Sequence, residues 1–325
     1  YSLMWRDGMK YVYLPMLNAL QKEIKKLSRL YSSVAMLALT HGQAATPTTF
    51  GKEMAVFHRR LNRQAAMLKE QRLQGKISGA TGTWAAHIVA YPGIDWIRFS
   101  GRLVKRFGLN PSPVTTQVEP HDSLAESYHI LARINSILID FTRDMWLYIS
   151  RAILGQKKIT GETGSSTMPH KINPIYFENA EGNCGLANAL LNHLASKLTV
   201  SRMQRDLSGS TVVRNQGVAL GHSFVGLNNL LKGLDRITIN QENMRAELDK
   251  HWEVLAEAIQ TILRKNGHPG AYNKLKNLTR GNCLDQETIH KLISDLNITT
   301  DDKNNLLKLT PADYTGLAHK LAQLK

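Results

Sequence analysis

Residues 164–174 read GSSTMPHKINP and bring two serines, a histidine and a lysine into one short stretch. Hydroxyl, imidazole and ammonium groups act as bases, acids, nucleophiles or anion ligands where a loop holds them together. The Gly, Pro and Asn residues of the same stretch are poor material for a core element. The stretch is therefore either a plain linker or a working loop. Three glycines can serve as its hinges: Gly155, Gly161 and Gly164.

A second stretch, SRMQRDLSGSTVVRN, combines arginines with hydroxyl side chains. Arg202 and Arg205 are spaced like neighbours one helical turn apart, and Ser210 is a good N-cap for a following helix with free amides in its first turn. Arg214 is expected on the same face. A phosphate bound here would contact these amides, the hydroxyls of Ser210 and Thr211, and at least one guanidinium. The residues alone leave two interpretations open, a phosphate site and a charged surface turn.

Long helices are expected to position both stretches. The prolines leave long intervals filled with helix formers, in which apolar residues recur at i, i+3, i+4 and i+7. Asn173 as N-cap and Pro174 as first helical residue predict where one helix begins. That helix is apolar or small on more than one face, which predicts burial on several sides. The predicted helices occupy 16–40, 50–74, 122–154, 174–200 and 211–234.

The predicted fold class is all-α. The long helices indicate a central bundle domain over residues 1–234 whose members also pack against other subunits. After about residue 235 the predicted helices shorten and turn signals become denser, which indicates a smaller C-terminal helical domain over 235–325.

Composition and charge exclude several classes. The 325 residues carry a formal charge of +15, with 42% hydrophobic and 21% charged residues. Lys and Arg alternate with apolar residues at helical spacing, so most are expected on solvated helix faces, and an acidic small substrate explains the surplus better than nucleic acid. No apolar run reaches the roughly 20 residues of a membrane span, and no charged-then-apolar leader opens the chain. We therefore expect a cytosolic, cytoplasmic protein without a membrane partner.

Motifs for other chemistries are missing. HExxH, GxGxxG, GxxxxGK[ST] and GxSxG do not occur, which disfavours zinc hydrolases, nucleotide-fold enzymes and the common serine hydrolases. Cys184 and Cys283 lie far apart without a CxxC motif, so neither a disulfide scaffold nor a cysteine-rich metal site is expected. Both are predicted to be buried thiols.

GSSTMPHKINP closely resembles the signature loop of the fumarase and aspartase superfamily, whose pattern is GSSxMPxKxNP. Its members eliminate fumarate from succinyl-containing substrates. Four further stretches resemble the bacterial adenylosuccinate lyases: LTHGQAATPTTFGKEMA, TTQVEPHD, SRMQRDLSGSTVVRN and HWEVLAEAIQTILRK. The resemblance covers essentially the whole chain. It implies release of fumarate from adenylosuccinate and from its succinylated aminoimidazole ribotide analogue, with no metal and no organic cofactor.

The resemblance implies that Ser165, the first serine of the pair, removes the proton from the succinyl carbon, with Ser166 as the alternative. A hydroxyl is a very poor base, so it can act only where positive charge and hydrogen-bond donors stabilise its oxyanion. Lys171 and the imidazole of His170 can contribute to this stabilisation locally. Two serines that merely cap a loop are the structural alternative.

His41, in THGQ, corresponds to the general acid of the family, which protonates the departing nitrogen. An ordinary imidazole pKa of about 6.5 suits proton donation near neutral pH. The neighbouring Gly42 and Pro47 predict that His41 lies at a helix end. A structural role is expected for four other histidines: His58, His193, His222 and His319.

Substrate-binding positions of the family also match. Lys171 would pair with a succinyl carboxylate whose charge grows as the carbanion forms, so this contact can stabilise the transition state more than the ground state. Asn179 binds substrate or hydrogen-bonds a neighbouring helix, and we favour substrate. The implied binding set is Gln117, Lys171, Asn179, Arg205, Ser210, Thr211 and Arg214.

The family is a homotetramer in which long helices of every subunit form a shared core and each active site draws on three subunits. Family chains also have an N-terminal domain and a Thr-Ser binding motif ahead of the position of Tyr1. We therefore expect the 325-residue chain to retain the central bundle but to be impaired as a catalyst alone.

Ala44 and Ala258 replace prolines that are usual in the family, which affects local rigidity more than chemistry.

Three alternatives have to be weighed against this interpretation. Argininosuccinate lyase is disfavoured, because its phosphate-free substrate needs no cradle of arginines and hydroxyls like the second stretch. A non-catalytic helical oligomer is disfavoured by the presence of His41, Ser165 and Lys171. A basic nucleic-acid binder is disfavoured because no recognised binding motif accompanies the charge.

Overall fold

The computed structural model describes residues 1–158, 168, 170–268, 270, 275 and 284–324. Over these residues the protein is helical with a few strands of two or three residues, so the all-α prediction is confirmed. Among the described residues, none of the helices combines the length and the apolar composition that a bilayer span requires.

The chain divides into two compact units. Unit 1 comprises Tyr1–Glu23, Arg59–Leu147 and Gln156–Ile237, and unit 2 comprises Ile24–His58, Tyr148–Gly155 and Thr238–Lys325. Neither unit is one continuous segment. The domain boundary expected near residue 235 stays a prediction.

The elements follow in chain order. The first half of the chain contains α1 (Ser2–Gly8), a π-helical stretch (Met9–Tyr13), α2 (Leu14–Leu30), β1 (Ala35–Met36), β2 (Leu39–Thr40), β3 (Gln43–Ala44), β4 (Thr48–Thr49), α3 (Phe50–Glu70), β5 (Gln74–Gly75), α4 (Ala85–Ala90), α5 (Trp96–Arg106), β6 (Asn110–Pro111) and α6 (Asp122–Ser150). The second half contains β7 (Leu154–Gln156), α7 (Ile175–Leu198), α8 (Ser208–Val213), α9 (Gln216–Arg236), β8 (Ile237–Ile239), α10 (Gln241–Leu248), a 3₁₀ turn (Trp252–Leu255), α11 (Ala256–Lys265), α12 (Gln286–Ser294), α13 (Thr300–Lys308) and α14 (Ala318–Gln323).

The strands form two-stranded ladders. In unit 1, β5 and β6 pair in parallel with Gln74 opposite Asn110. In unit 2, β1 pairs antiparallel with β4, and β2 with β3. β7 and β8 form the remaining ladder among the described residues.

The predicted helices exist, but several bounds were wrong. The helix expected over 16–40 ends at Leu30, because serines and the β-branched Val34 follow it and the chain turns into β1. The helix expected over 211–234 is two helices, α8 and α9, with Asn215 as the N-cap of α9. α7 begins at Ile175 rather than Pro174, which is its N-cap and accepts the Phe177 N–H at 3.0 Å.

In unit 1, α7 and α9 pack closely together. A Cβ placed on Gly226 of α9 would lie 2.7 Å from Cys184 Sγ of α7, and one on Gly233 would lie 2.9 Å from the ring of Phe177. Both cysteines were predicted to be buried thiols, and this is confirmed for Cys184, whose pKa burial raises to about 12. Cys283 lies outside the described residues. The expected burial of α7 on several sides does not hold within one chain, since Leu186 is 58% exposed.

Polar pairs cross the interior of unit 1 between α6 and α9. Tyr128 donates its hydroxyl to Gln216 Oε1 at 2.9 Å, and Asn135 Nδ2 donates to Ser223 Oγ at 2.9 Å. All four side chains are buried. Because a buried polar group without a partner is costly, these pairs fix how α9 sits on α6.

Unit 2 has its own apolar core around α11 and α12, which includes Leu255, Ile259, Ile289 and Ile293. Three of its helices begin with a side-chain cap: Asn240 for α10, Asp285 for α12 and Thr299 for α13. Such caps satisfy first-turn amides that have no partner inside the helix.

Candidate active site

Arg205 brings three of the predicted binding residues together in unit 1. Its guanidinium donates from Nη1 to Gln117 Oε1 at 3.4 Å and from Nη2 to Ser210 Oγ at 3.2 Å. Gln117 precedes α6, Arg205 lies between α7 and α8, and Ser210 belongs to α8. Arg205 is exposed, so the remaining donors of its guanidinium are accessible to an anion. We call Gln117, Arg205 and Ser210 the Arg205 cluster.

Asp206 shapes the loop that carries Arg205. Its Oδ1 accepts the Ser208 N–H at 2.8 Å and the Ser208 hydroxyl, and its Oδ2 accepts from the backbone N–H and from Nη1 of Arg202, both at 3.2 Å. The Ser208 hydroxyl is the main cause that lowers the pKa of Asp206 to about 2. The carboxylate therefore neutralises Arg202 and leaves the charge of Arg205 uncompensated by this acid. The Asp-Leu-Ser sequence, a pattern for an Asx turn, was the overlooked signal.

Two predictions for this stretch were wrong. Residues 201–207 form a loop, so its two arginines are not one helical turn apart. α8 begins at Ser208, which places Ser210 inside the helix rather than at its N-cap. The reason is that Asp206 supplies the acceptor for the first amide and starts the helix earlier than expected.

Thr211 and Arg214 lie beside the Arg205 cluster along the chain. Thr211 follows Ser210 in α8, and Arg214 is the C-cap residue of the same helix. Both residues are exposed. One short helix thus offers hydroxyl groups and a second guanidinium close to Arg205 in sequence.

His41 lies at the tip of a β-hairpin in unit 2, so the predicted helix end was wrong. Thr40 and Gln43 pair across the turn, and the two central residues both have positive φ, 53° at His41 and 72° at Gly42. This is the backbone of a type I′ turn, in which Gly at the second position is strongly preferred. His41 is exposed there, and a non-glycine residue at positive φ is an uncommon conformation often found at functional sites.

The signature loop is described only at its C-terminal end. Ser165 and Ser166 lie outside the described residues, as do Gly161 and Gly164. Lys171 is exposed and its backbone N–H donates to the Met168 carbonyl at 3.1 Å. Gly155 is a strand residue rather than a hinge, since a Cβ there would lie 2.6 Å from Thr238 Oγ1.

Asn179 of α7 belongs to a row of amides in unit 1. Its Oδ1 accepts from Asn183 Nδ2 and from Asn229 Nδ2 of α9, both at 2.9 Å. His222 Nδ1 in turn lies 2.8 Å from Asn183 Oδ1, which agrees with the structural role expected for that histidine. Asn179 therefore bonds a neighbouring helix through its oxygen, while its amide nitrogen has no partner among the described residues and can serve a ligand.

No group of three or more His, Cys, Asp or Glu side chains in the described part of the chain can hold a metal ion. The residues gathered here are instead amides, hydroxyls and guanidinium groups, the donor set of an anion site.

Two family models match this sequence. Residues 1–187, more than half of the chain, match the family described as Lyase, and residues 201–315 match the family described as Adenylosuccinate lyase C-terminal.

Curated relatives extend over almost the whole chain. The adenylosuccinate lyase of Legionella pneumophila (strain Corby) is 49% identical over 99% of this chain and 71% of its own length. The adenylosuccinate lyase of Escherichia coli (strain K12) is 49% identical over 98% of this chain and 70% of its own length.

Solved structures with the same fold include 3-carboxy-cis,cis-muconate lactonizing enzyme from Pseudomonas putida, with a TM-score of 0.78 and 22% identity over 99% of this chain and 72% of that one. Fumarate lyase from Mesorhizobium sp. BNC1 has a TM-score of 0.79 and 19% identity over 99% of this chain and 73% of that one. At these identities the likeness concerns the fold alone. By its sequence relationships, the chain belongs to the adenylosuccinate lyase family of the fumarase and aspartase superfamily.

Proposed function

We propose that this protein cleaves adenylosuccinate to AMP and fumarate, and the succinylated aminoimidazole ribotide SAICAR to AICAR and fumarate. Relatives at 49% identity are named adenylosuccinate lyase. The structural observation that carries the proposal is the Arg205 cluster, in which one exposed guanidinium contacts the nearby Ser210 and also Gln117, which is 88 residues away in the sequence. Such an arrangement suits a small anionic nucleotide.

Each binding residue has a part in this proposal. Both substrates carry a phosphate and two succinyl carboxylates, and the formal charge of +15 favours the approach of such anions. Arg205 and Arg214 supply guanidinium groups, and Ser210 and Thr211 supply hydroxyl donors. Lys171 pairs with a succinyl carboxylate, while the amides of Gln117 and Asn179 bind uncharged polar groups.

The chemistry needs one base and one acid. Ser165, as an oxyanion stabilised by Lys171 and His170, takes a proton from the succinyl carbon, and the electron pair of that C–H bond becomes the double bond of fumarate. The C–N bond breaks on the opposite side, and the departing nitrogen receives a proton from His41. One C–H and one C–N bond are lost while one C=C and one N–H bond form. No external oxidant or reductant is required.

A homotetramer with shared active sites is part of the proposal. Apolar side chains of α7 and α9 that are exposed in the single chain support it, including Ile175, Leu186, Val218 and Val225. Burial of such surface would favour association.

We also propose that the protein acts in the cytoplasm, where its nucleotide substrates are held.

Fumarate release from adenylosuccinate by the full-length protein, followed by NMR, tests the proposal. Ser165→Ala and His41→Ala should each lower kcat by about 10²–10⁴-fold, the usual contribution of one proton-transfer group. Ser166→Ala and His193→Ala are the matched controls and should keep kcat within about twofold of the unchanged protein. Unaltered rates in both Ser165→Ala and His41→Ala would contradict the mechanism.

A further inference from the structure

The loop that follows β5, residues 76–82, contacts the segment 115–117 that ends in Gln117. Lys76 Nζ donates to three backbone carbonyls: Gly79 at 3.2 Å, Thr116 at 2.8 Å and Gln117 at 2.8 Å. β5 and β6 are parallel, so the loops that leave their carboxyl ends emerge on the same side. Three carbonyls therefore occupy the three N–H donors of one ammonium group.

Two further contacts hold these segments together. Gly82 has φ +77°, and a Cβ there would lie 2.0 Å from the Thr115 carbonyl oxygen, so only glycine fits. Ser78 is buried, and its hydroxyl lies 3.4 Å from that of Thr115. The backbone before Gln117 is thus packed against a loop that follows a different strand.

Lys76 has no carboxylate partner among the described residues. Burial lowers its pKa, because part of its hydration is lost. Carbonyl dipoles replace that water, and two of the three belong to Thr116 and Gln117. An ammonium placed this way is poorly suited to pair with an anion, since its donors are already used. It is well suited to fix a backbone.

We propose that Lys76 is a positioning residue for the substrate site: it fixes the backbone of residues 116 and 117 so that the Gln117 amide oxygen meets Arg205. Lys76 then acts on substrate only through Gln117. The inference rests on the proposed function in one respect, the binding role of Gln117. A solely structural lysine would instead affect stability without any link to that side chain.

A double-mutant cycle with Lys76→Met and Gln117→Ala tests the inference. Each single variant should raise KM for adenylosuccinate by about tenfold, the size expected for one hydrogen bond to a ligand, with kcat within about twofold. The double variant should have the KM of Gln117→Ala, because Lys76 has nothing left to position. Lys76→Arg keeps the N–H donors and the positive charge, so its KM should lie between that of the unchanged protein and that of Lys76→Met.

Additive effects in the double variant would overturn the inference and leave the role of Gln117 intact. An unimpaired Gln117→Ala protein beside an impaired Lys76→Met protein would overturn it too. If Lys76→Met does not yield folded protein, Lys76→Gln takes its place in the cycle.

Backbone order parameters from NMR relaxation separate the inference from the proposed function. In Lys76→Met, the order parameters of residues 116 and 117 should fall below those of the unchanged protein, because both carbonyls lose the bond from the ammonium, while those of α7 stay the same. This result is expected even if the protein released no fumarate, which would remove only the proposed function. Unchanged order parameters at 116 and 117 would overturn the positioning role.

Discussion

The contact of α7 with α9 and the Arg205 cluster lie in the same unit but are built on different principles. Between the helices, glycines admit side chains at distances where no Cβ fits, as Gly226 does for Cys184. In the Arg205 cluster, three exposed or half-buried polar groups meet at 3.2–3.4 Å. Dense packing determines stability, whereas long and exposed hydrogen bonds contribute little to it.

Because the two regions are built differently, stability and substrate affinity can be changed separately in this molecule. Substitutions at the helix contact should move the free energy of unfolding and leave KM alone. Substitutions in the Arg205 cluster should raise KM and leave the free energy of unfolding unchanged.

The largest change is expected from a methyl group placed between the helices. Gly226→Ala sets a Cβ 2.7 Å from the buried Cys184 Sγ and should cost about 1–3 kcal/mol of unfolding free energy. Gly221→Ala, in the same helix but facing open space, should stabilise the protein by up to about 1 kcal/mol. Urea denaturation measures both. Equal signs for the two variants would contradict the packing described for α9.

A smaller loss of unfolding free energy is expected at the polar pair that Tyr128 of α6 and Gln216 of α9 form. Tyr128→Phe leaves the buried Gln216 Oε1 without its donor and should cost about 1–2 kcal/mol in the same assay. Tyr11→Phe, at a site where the ring is 65% exposed, should change nothing measurable. A loss at Tyr11 as large as at Tyr128 would mean that the buried pair is not what stabilises this contact.

The smallest effect concerns the pH behaviour of the loop. The pKa of Asp206 is depressed to about 2, so its contribution to stability is complete above the ordinary aspartate pKa and is lost as the pH falls through 2. Carboxyl-carbon NMR of the folded protein should give that midpoint, and Ser208→Ala should raise it. A midpoint that stays in place in Ser208→Ala would show that the Ser208 hydroxyl is not the cause.

Much of the helical framework was predictable, because a repeating apolar stripe is a local property. α3, α6 and α7 lie within ranges marked by that repeat. The errors arose where side chains override propensity: Asp206 starts α8 early, and the His41-Gly42 pair turns the chain back as a hairpin. Both signals were present in the sequence but were too short for periodicity to detect.

The site was only partly predictable for a different reason. Motif similarity could identify Gln117, Arg205 and Ser210 one by one, but no spacing rule links residues 117 and 205. Their contact exists only because α6, α7 and α8 are folded together. Lys76 was missed for the same reason, since its partners are backbone carbonyls that sequence chemistry does not reveal.

The claim that the Arg205 cluster binds the substrate anion is tested by comparing two arginines of one loop, Arg205 and Arg202. KM and kcat for fumarate release should be measured for Arg205→Met and Arg202→Met. We expect Arg205→Met to raise KM by about 10–100-fold, as for loss of a charged hydrogen bond. Arg202→Met should keep KM within about threefold of that of the unchanged protein. The reason is that the exposed ion pair of Arg202 with Asp206 contributes little to the structure of the loop. Equal effects of the two substitutions, or an unchanged KM in Arg205→Met, would contradict the claim.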